Sequence, residues 1–162
     1  MQNDLNALTD PPFAFERPMI ATILLNTAVV SLSVIIHYEA LYRMFRLMPH
    51  TRLKHRFRIV FGVFGALIAH AAEVWIFAIA YYYMHHSNHW GILQGNFTGS
   101  FMDCVYFSFS TFSTVGFGDI EPIGEIRYLT GIESLTGLVL ITWTASFLYL
   151  EMRRYWDEPD ES

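Results

Sequence analysis

Charged residues are scarce in this chain: they make up 15% of its 162 residues, against roughly a quarter in ordinary soluble domains. Cysteine is scarcer still, and the single Cys104 excludes an internal disulfide framework and any multi-cysteine metal site. The N-terminal tail, residues 1–18, lacks the basic region that begins a typical signal peptide. Apolar residues, by contrast, make up 53% of the chain. This balance favours a membrane protein over a soluble domain.

Three apolar runs are long enough to cross a bilayer as helices, which takes about 20 residues. They cover residues 19–42, 59–84 and 128–150. A fourth apolar stretch, Phe101 to Phe112, is too short to span and is predicted to be a re-entrant helix. Ser100 and Asp103 have the spacing of a capping box at its start. The sequence therefore predicts an all-α membrane protein with three transmembrane helices and one re-entrant helix.

Cationic residues are concentrated in two segments that lie on the same side of the membrane if all three runs cross it. Eight of the ten Lys and Arg residues lie in the segment 43–58 or in the C-terminal tail, residues 151–162. The positive-inside rule makes that side cytoplasmic and places the N-terminal tail and residues 85–127 outside. Because the basic residues of 43–58 lie outside the spans, we expect this loop to contact anionic lipid rather than to sense voltage.

A short segment after the re-entrant helix has glycine at alternate positions. We call it the filter segment: Thr114, Val115, Gly116, Phe117, Gly118 and Asp119. Backbone carbonyls can replace the water around a potassium ion when they form rings. Consecutive carbonyls point the same way only if alternate residues leave strand geometry, which glycine does at little cost. The preceding helix would direct its partly negative C-terminal end toward this segment, which favours a cation there.

The run CVYFSFSTFSTVGFGDIEP from Cys104 and the run LTGIESLTGLVLITW from Leu129 resemble the pore-domain family of potassium channels. The resemblance covers about Phe101 to Tyr149 and implies a subunit for passive, potassium-selective conduction, with four identical chains around one pore. It implies K⁺ in the filter segment and no organic cofactor. The implied ion ligands are the carbonyls of Thr114, Val115, Gly116 and Phe117, with Gly118 completing the ion-binding segment.

Several further residues match or depart from the family pattern. Gly137 matches a hinge glycine of the inner helix, and Tyr106 is expected to donate a hydrogen bond to Asp119. Glu133 lies four residues before Gly137 and is expected to support the filter from behind. Ser110 stands where some family members carry a carboxylate that pairs with the filter aspartate, and with Asp119, Tyr106 and Glu133 it is assigned to filter support. Phe117 replaces the commoner tyrosine and lacks its hydroxyl.

Ionisable residues at two other places have several interpretations. His70 and Glu73 share a face of the second span. A structural hydrogen-bonded pair is favoured there over a pH-sensitive gating pair, and metal or haem ligation is the least favoured. His85, His86 and His89 are interpreted as part of a polar outer loop rather than as a metal or pH sensor.

Two other functions remain open besides the potassium channel: a weakly selective monovalent cation channel and a non-conducting regulatory membrane subunit. No enzyme motif is visible, and no nucleic acid is expected as a partner. The expected location is the bacterial inner membrane, with the N-terminus outside and the C-terminus cytoplasmic. In a homotetramer the third spans would line an inner cavity, with Ile141, Ala145 and Tyr149 as candidates spaced by about one helical turn.

Overall fold

This computed structural model describes residues 19–47, 55–87 and 89–156. The helices are α1 (Met19–Leu47), α2 (His55–His86), α3 (Phe101–Phe112) and α4 (Ile126–Trp156). Two short strands, β1 (Ile92–Gly95) and β2 (Ile120–Ile123), flank α3 along the chain. Three stretches are long and apolar enough to cross a membrane: Ile20–Arg46, Ile59–His86 and Ile126–Arg153. The predicted helical membrane fold is confirmed.

The long helices extend beyond the apolar runs. We predicted a loop from residue 43, but α1 continues to Leu47, and Arg43 Nε donates to Glu39 Oε1 at 2.9 Å. Such i,i+4 ion pairs support a helix after its apolar run has ended. Similarly, α2 begins at residue 55 rather than 59 and α4 ends at 156 rather than 150. The predicted tails, residues 1–18 and 157–162, and the middle of the predicted basic loop, residues 48–54, lie outside the described residues.

Helix α2 is the centre of the bundle and packs against α1, α3 and α4. Its side chains Phe77, Tyr81 and Met84 are completely buried and join one apolar core with side chains of α3 and α4. Cys104 of α3 lies in this core, and burial raises the pKa of its thiol to about 11. The thiol therefore stays protonated at neutral pH and packs as a small apolar group. The packing holds α3 between two long helices.

Helix α3 has the capping residue that the sequence predicted. Ser100 Oγ accepts a hydrogen bond from Asp103 N at 3.1 Å. The Asp103 carboxylate accepts from the backbone N and the hydroxyl of Thr98 at 2.8 and 2.6 Å. These bonds from Thr98 lower the pKa of Asp103, so the carboxylate is charged near the helix N-terminus, where negative charge is stabilising.

The antiparallel ladder of β1 and β2 was not predicted. Ile92 lies opposite Ile123, and Gly95 lies opposite Ile120. Gly95 has φ +103°, and a Cβ there would lie 2.3 Å from the Asp119 carbonyl oxygen. At this close approach, Asn96 N donates a hydrogen bond to the same oxygen at 2.8 Å. The ladder thus joins the chain before α3 to the end of the filter segment.

Candidate functional site

The filter segment has left-handed backbone geometry at every second residue. Thr114, Gly116 and Gly118 have φ values of +60°, +54° and +78°. The glycines were expected to take this conformation, but Thr114 was not, because a left-handed residue with a side chain costs roughly 1–2 kcal/mol. Strain of this kind occurs at functional sites where the surrounding structure imposes it. The alternation therefore runs through the whole segment.

Three backbone N–H groups of the filter segment converge on Ser110. Val115 N and Gly116 N donate to the Ser110 carbonyl oxygen at 3.0 and 3.2 Å, and Phe117 N donates to Ser110 Oγ at 3.3 Å. The described peptide bonds include no cis bond, and a trans peptide places its C=O opposite its N–H. The carbonyls of Thr114, Val115 and Gly116 therefore point away from Ser110 and from α3.

Ser110 replaces a carboxylate that some family members carry, and the sequence assigned it to filter support without specifying its contacts. The structure places Ser110 at 8% exposure, in the last turn of α3. Its carbonyl belongs to the group of helix-end carbonyls that have no partner within the helix. Here that carbonyl and the side-chain hydroxyl fix three consecutive peptides of the filter segment.

Tyr106 contacts two residues in the outer half of the filter segment, Phe117 and Asp119. Its hydroxyl donates to Asp119 Oδ2 at 3.0 Å, which is the contact expected from the sequence. Desolvation and the hydrogen bond to Asp119 raise the pKa of Tyr106, so the phenol keeps its hydrogen at neutral pH. Its ring also stacks on that of Phe117, with 6.1 Å between centroids and 6° between planes. This stacking links Phe117 to α3 without the missing hydroxyl.

Glu133, which was expected to support the filter from behind, contacts Tyr81 of α2 and Ser108 in the middle of α3. Tyr81 OH donates to Glu133 Oε2 at 2.5 Å. The Ser108 hydroxyl contacts Glu133 Oε1 and also the Val74 carbonyl oxygen at 2.9 Å. Ser108 has one hydrogen, and a carbonyl oxygen can only accept. Both contacts are satisfied when Ser108 donates to Val74 and a protonated Glu133 donates to Ser108.

This hydrogen count predicts different effects for two substitutions of Glu133. Glu133→Gln keeps a donor for Ser108 and an acceptor for Tyr81, so we expect its thermal stability in detergent to remain close to that of the parent. Glu133→Ala removes the carboxyl group to which the buried Tyr81 hydroxyl donates, and the loss of such a partner costs about 1–3 kcal/mol. Thermal unfolding of both variants measures the difference. Equal destabilisation by Gln and Ala would show that the site needs a carboxylate.

Gly137 lies where α4 approaches the C-terminal end of α3. A Cβ there would lie 2.1 Å from the Phe112 carbonyl oxygen and 2.9 Å from its carbonyl carbon. One turn earlier, Ser134 Oγ donates to the Thr111 carbonyl oxygen at 3.2 Å. These contacts place α4 directly against the helix end that leads into the filter segment. A hinge at Gly137 stays a prediction, since α4 is continuous through this residue.

His70 and Glu73 are in contact, at 2.9 Å between His70 Nδ1 and Glu73 Oε2. Sequence reasoning missed His37 of α1, whose Nδ1 lies 2.8 Å from Glu73 Oε1. His37 lies in an apolar run 36 residues before its partner, so no local spacing pointed to it. The pair is part of a larger buried cluster.

His85 and His86, which were expected in the outer loop, lie in the last turn of α2, with 5.1 Å between their ring centroids. His85 Nδ1 accepts a hydrogen bond from Leu93 N at 3.1 Å. His86 Nδ1 donates to the Tyr82 carbonyl oxygen at 2.8 Å, and His89 is exposed. Among the described residues, the histidines and acids that converge at metal-ligand spacing are His37, His70 and Glu73.

Both a curated relative and a family model match this chain. One curated relative is the inward rectifier potassium channel Kirbac3.1 of Paramagnetospirillum magnetotacticum, with 33% identity over 64 residues. The match covers 39% of this chain and 22% of the relative, so the chain corresponds to about a fifth of the relative's length. No solved structure gives a significant match.

A family model described as "Ion channel" matches residues 69–153. The matched range contains α3, the filter segment and nearly all of α4, whereas α1 lies outside it. It covers just over half of the chain, and the resemblance to the pore domain of potassium channels is confirmed at the level of the family. The chain is therefore a membrane protein of the ion channel family, and not an enzyme.

Proposed function

We propose that this chain is a subunit of a potassium-selective channel that conducts passively through the carbonyls of its filter segment. The observation that carries the proposal is the convergence of three filter N–H groups on Ser110. It directs the carbonyls of Thr114, Val115 and Gly116 to the opposite side, where they can replace the hydration shell of K⁺. The Phe117 carbonyl is proposed as a fourth ligand, from the resemblance to the family.

We further propose a homotetramer. One chain supplies one filter strand, which cannot surround an ion, and closed cyclic symmetry provides the others. Val115 and Phe117 are 57% and 67% exposed in the single chain, and neighbouring subunits would cover them. Ile141, Ala145 and Tyr149 of α4 are also exposed, as cavity-lining residues would be. Native mass spectrometry should give four chains per particle, and a conducting dimer of single chains would contradict the arrangement.

The proposed location is the bacterial inner membrane, with the N-terminus outside and the basic segment 43–58 at cytoplasmic anionic lipid. Its support is the concentration of eight of the ten cationic residues on one side of the spans. Cysteine labelling from the two sides of sealed vesicles would measure the orientation.

Measurement of ion flux in reconstituted vesicles separates this proposal from its alternatives. Purified protein in potassium-loaded vesicles should carry K⁺ down its gradient, whereas a non-conducting regulatory subunit would carry none. A weakly selective cation channel would pass Na⁺ at a similar rate. The regulatory alternative must also explain why the complete filter segment is present.

The contact between Tyr106 and Asp119 is proposed to hold the conducting form of the filter. Tyr106→Phe removes the donated hydrogen bond but keeps the ring that stacks on Phe117, so we expect several-fold faster inactivation without loss of assembly. Single-channel recording measures this change. Tyr83→Phe, which removes the hydroxyl of a half-exposed tyrosine on α2, is the control. Unchanged gating in Tyr106→Phe would show that this bond does not support the filter.

A further inference from the structure

Four polar side chains from all three membrane-spanning helices meet inside the bundle. His37 of α1 and Glu73 of α2 are completely buried, and Thr144 of α4 is 6% exposed. The His70 side chain is 17% exposed. Each carboxylate oxygen of Glu73 has one imidazole Nδ1 beside it, at 2.8 Å for His37 and 2.9 Å for His70. One ligand atom from each of these three residues lies within 4.8 Å of the other two.

The opposite side of both rings faces one hydroxyl group. Thr144 Oγ1 lies 3.4 Å from His37 Nε2 and 3.1 Å from His70 Nε2. If both imidazoles are neutral and donate their Nδ1 hydrogens to Glu73, both Nε2 atoms carry lone pairs. Thr144 has a single hydrogen and can donate to one of them only. With both imidazoles neutral, one of these two contacts therefore lacks a hydrogen, which a further proton would supply by making one ring an imidazolium beside the Glu73 carboxylate.

A metal ion on the Nδ1 side satisfies both contacts without a further proton. Imidazoles that bind a metal through Nδ1 carry their hydrogen on Nε2, and Thr144 Oγ1 has two lone pairs to accept both hydrogens. Metal-binding histidines usually donate their second ring N–H to such an acceptor, which fixes the tautomer and the orientation of the ring. In this cluster Thr144 Oγ1 already lies beside both Nε2 atoms, in the position of such an acceptor.

We propose that His37, His70 and Glu73 bind one divalent transition metal ion of the zinc type. Two imidazoles and one carboxylate form a ligand set that zinc accepts, at about 2.0–2.2 Å from the metal, with a fourth position left open. In a tetrahedron of that size the ligand atoms lie roughly 3.3–3.6 Å apart, so binding requires the Nδ1–oxygen distances of 2.8 and 2.9 Å to widen. Glu73 offsets one of the two positive charges, as a buried ion requires.

The proposed site joins α1, which lies outside the family match, to α2 and α4, which overlap the match. His37 supplies a ligand from α1, α2 supplies two more, and Thr144 connects both rings to α4. Metal occupancy would fix the positions of these three helices relative to one another. This inference rests on the cluster geometry and not on conduction through the filter.

The test uses the full-length purified protein in detergent, stripped with a chelator and titrated with Co²⁺ and then with Zn²⁺. We expect one metal per chain, the visible absorption of tetrahedral cobalt, and its loss when zinc displaces cobalt. His37→Gln should abolish the signal. The matched control His86→Gln, which removes an exposed histidine of α2, should keep it. Thr144→Val should weaken binding by about 10–100-fold, while Thr144→Ser should restore it.

Two results would overturn the proposal. Absence of bound metal in the parent protein would show that the cluster is held by protons alone. Equal binding by the parent and by His37→Gln would show that His37 is not a ligand and that the metal lies elsewhere. If His37→Gln fails to assemble, the comparison of Thr144→Val with Thr144→Ser still decides, because both keep all three ligands. None of these readouts depends on ion conduction, so the proposed function is tested separately.

Discussion

Replacing Gly137 with alanine is expected to abolish selective current and to lower the yield of assembled protein. The new Cβ would lie 2.1 Å from the Phe112 carbonyl oxygen, so the C-terminal end of α3 must move away from α4. The obstacle is backbone and cannot rotate away like a flexible side chain. Overpacking typically costs about 1–3 kcal/mol. Here the displaced helix end also carries Ser110, on which the filter peptides are anchored.

Gly131 provides the matched control in the same helix. A Cβ at Gly131 meets no heavy atom within 4 Å, and alanine is favoured over glycine in a helix by about 1 kcal/mol. Gly131→Ala should therefore keep current and stability, or raise stability slightly. Size-exclusion chromatography, thermal unfolding and bilayer recording compare the two variants. Normal current in Gly137→Ala would mean that α3 and α4 are less closely packed than described.

Gly116→Ala is expected to remove potassium-selective current for a different reason. No heavy atom lies within 4 Å of the added Cβ in this chain, but the residue has φ +54°. A left-handed alanine costs roughly 1–2 kcal/mol, and the four subunits of the proposed tetramer would bear that cost in a shared filter, about 4–8 kcal/mol in total. At 1.4 kcal/mol per decade, the conducting form would fall by about three to six orders of magnitude.

Gly99→Ala is the control that separates the effect on the filter from the general cost of a left-handed alanine. Gly99 also has a positive φ, +86°, with no heavy atom within 4 Å of an added Cβ, and it lies before α3 rather than in the filter segment. Gly99→Ala should therefore lower stability by a similar amount per chain and leave the ratio of K⁺ to Na⁺ permeability unchanged. Macroscopic current in vesicles or planar bilayers measures both variants. A selective Gly116→Ala channel would show that conduction does not need the left-handed geometry.

Local patterns in the sequence were sufficient for the parts of the fold that depend on near neighbours. The apolar runs predicted three spans, and Ser100 predicted the start of α3, because capping involves residues only three apart. The contact between Tyr106 and Asp119 was expected from the family pattern. Ser110 was predicted to support the filter, but its contacts were not, since the identity of a side chain does not reveal a role played largely by the backbone carbonyl.

Long-range contacts and unfavourable local geometry were missed. His37 has its partners in α2 and α4, 36 and more residues away along the chain, and it lies within an apolar run. The ladder of β1 and β2 has strands of four residues each, and Pro122 within β2 argues against a strand by local criteria. Thr114 is β-branched, a residue type that disfavours a left-handed backbone. In each case tertiary structure outweighs the local preference.

The most direct test of the central claim is the reversal potential of the unmodified protein in a planar bilayer, with K⁺ on one side and an equal concentration of Na⁺ on the other. A carbonyl-lined potassium filter predicts a large displacement from zero, about 59 mV for each tenfold preference for K⁺. A hundredfold preference would therefore give about 120 mV. A reversal potential near zero, with current present, would contradict potassium selectivity and identify a weakly selective cation channel instead.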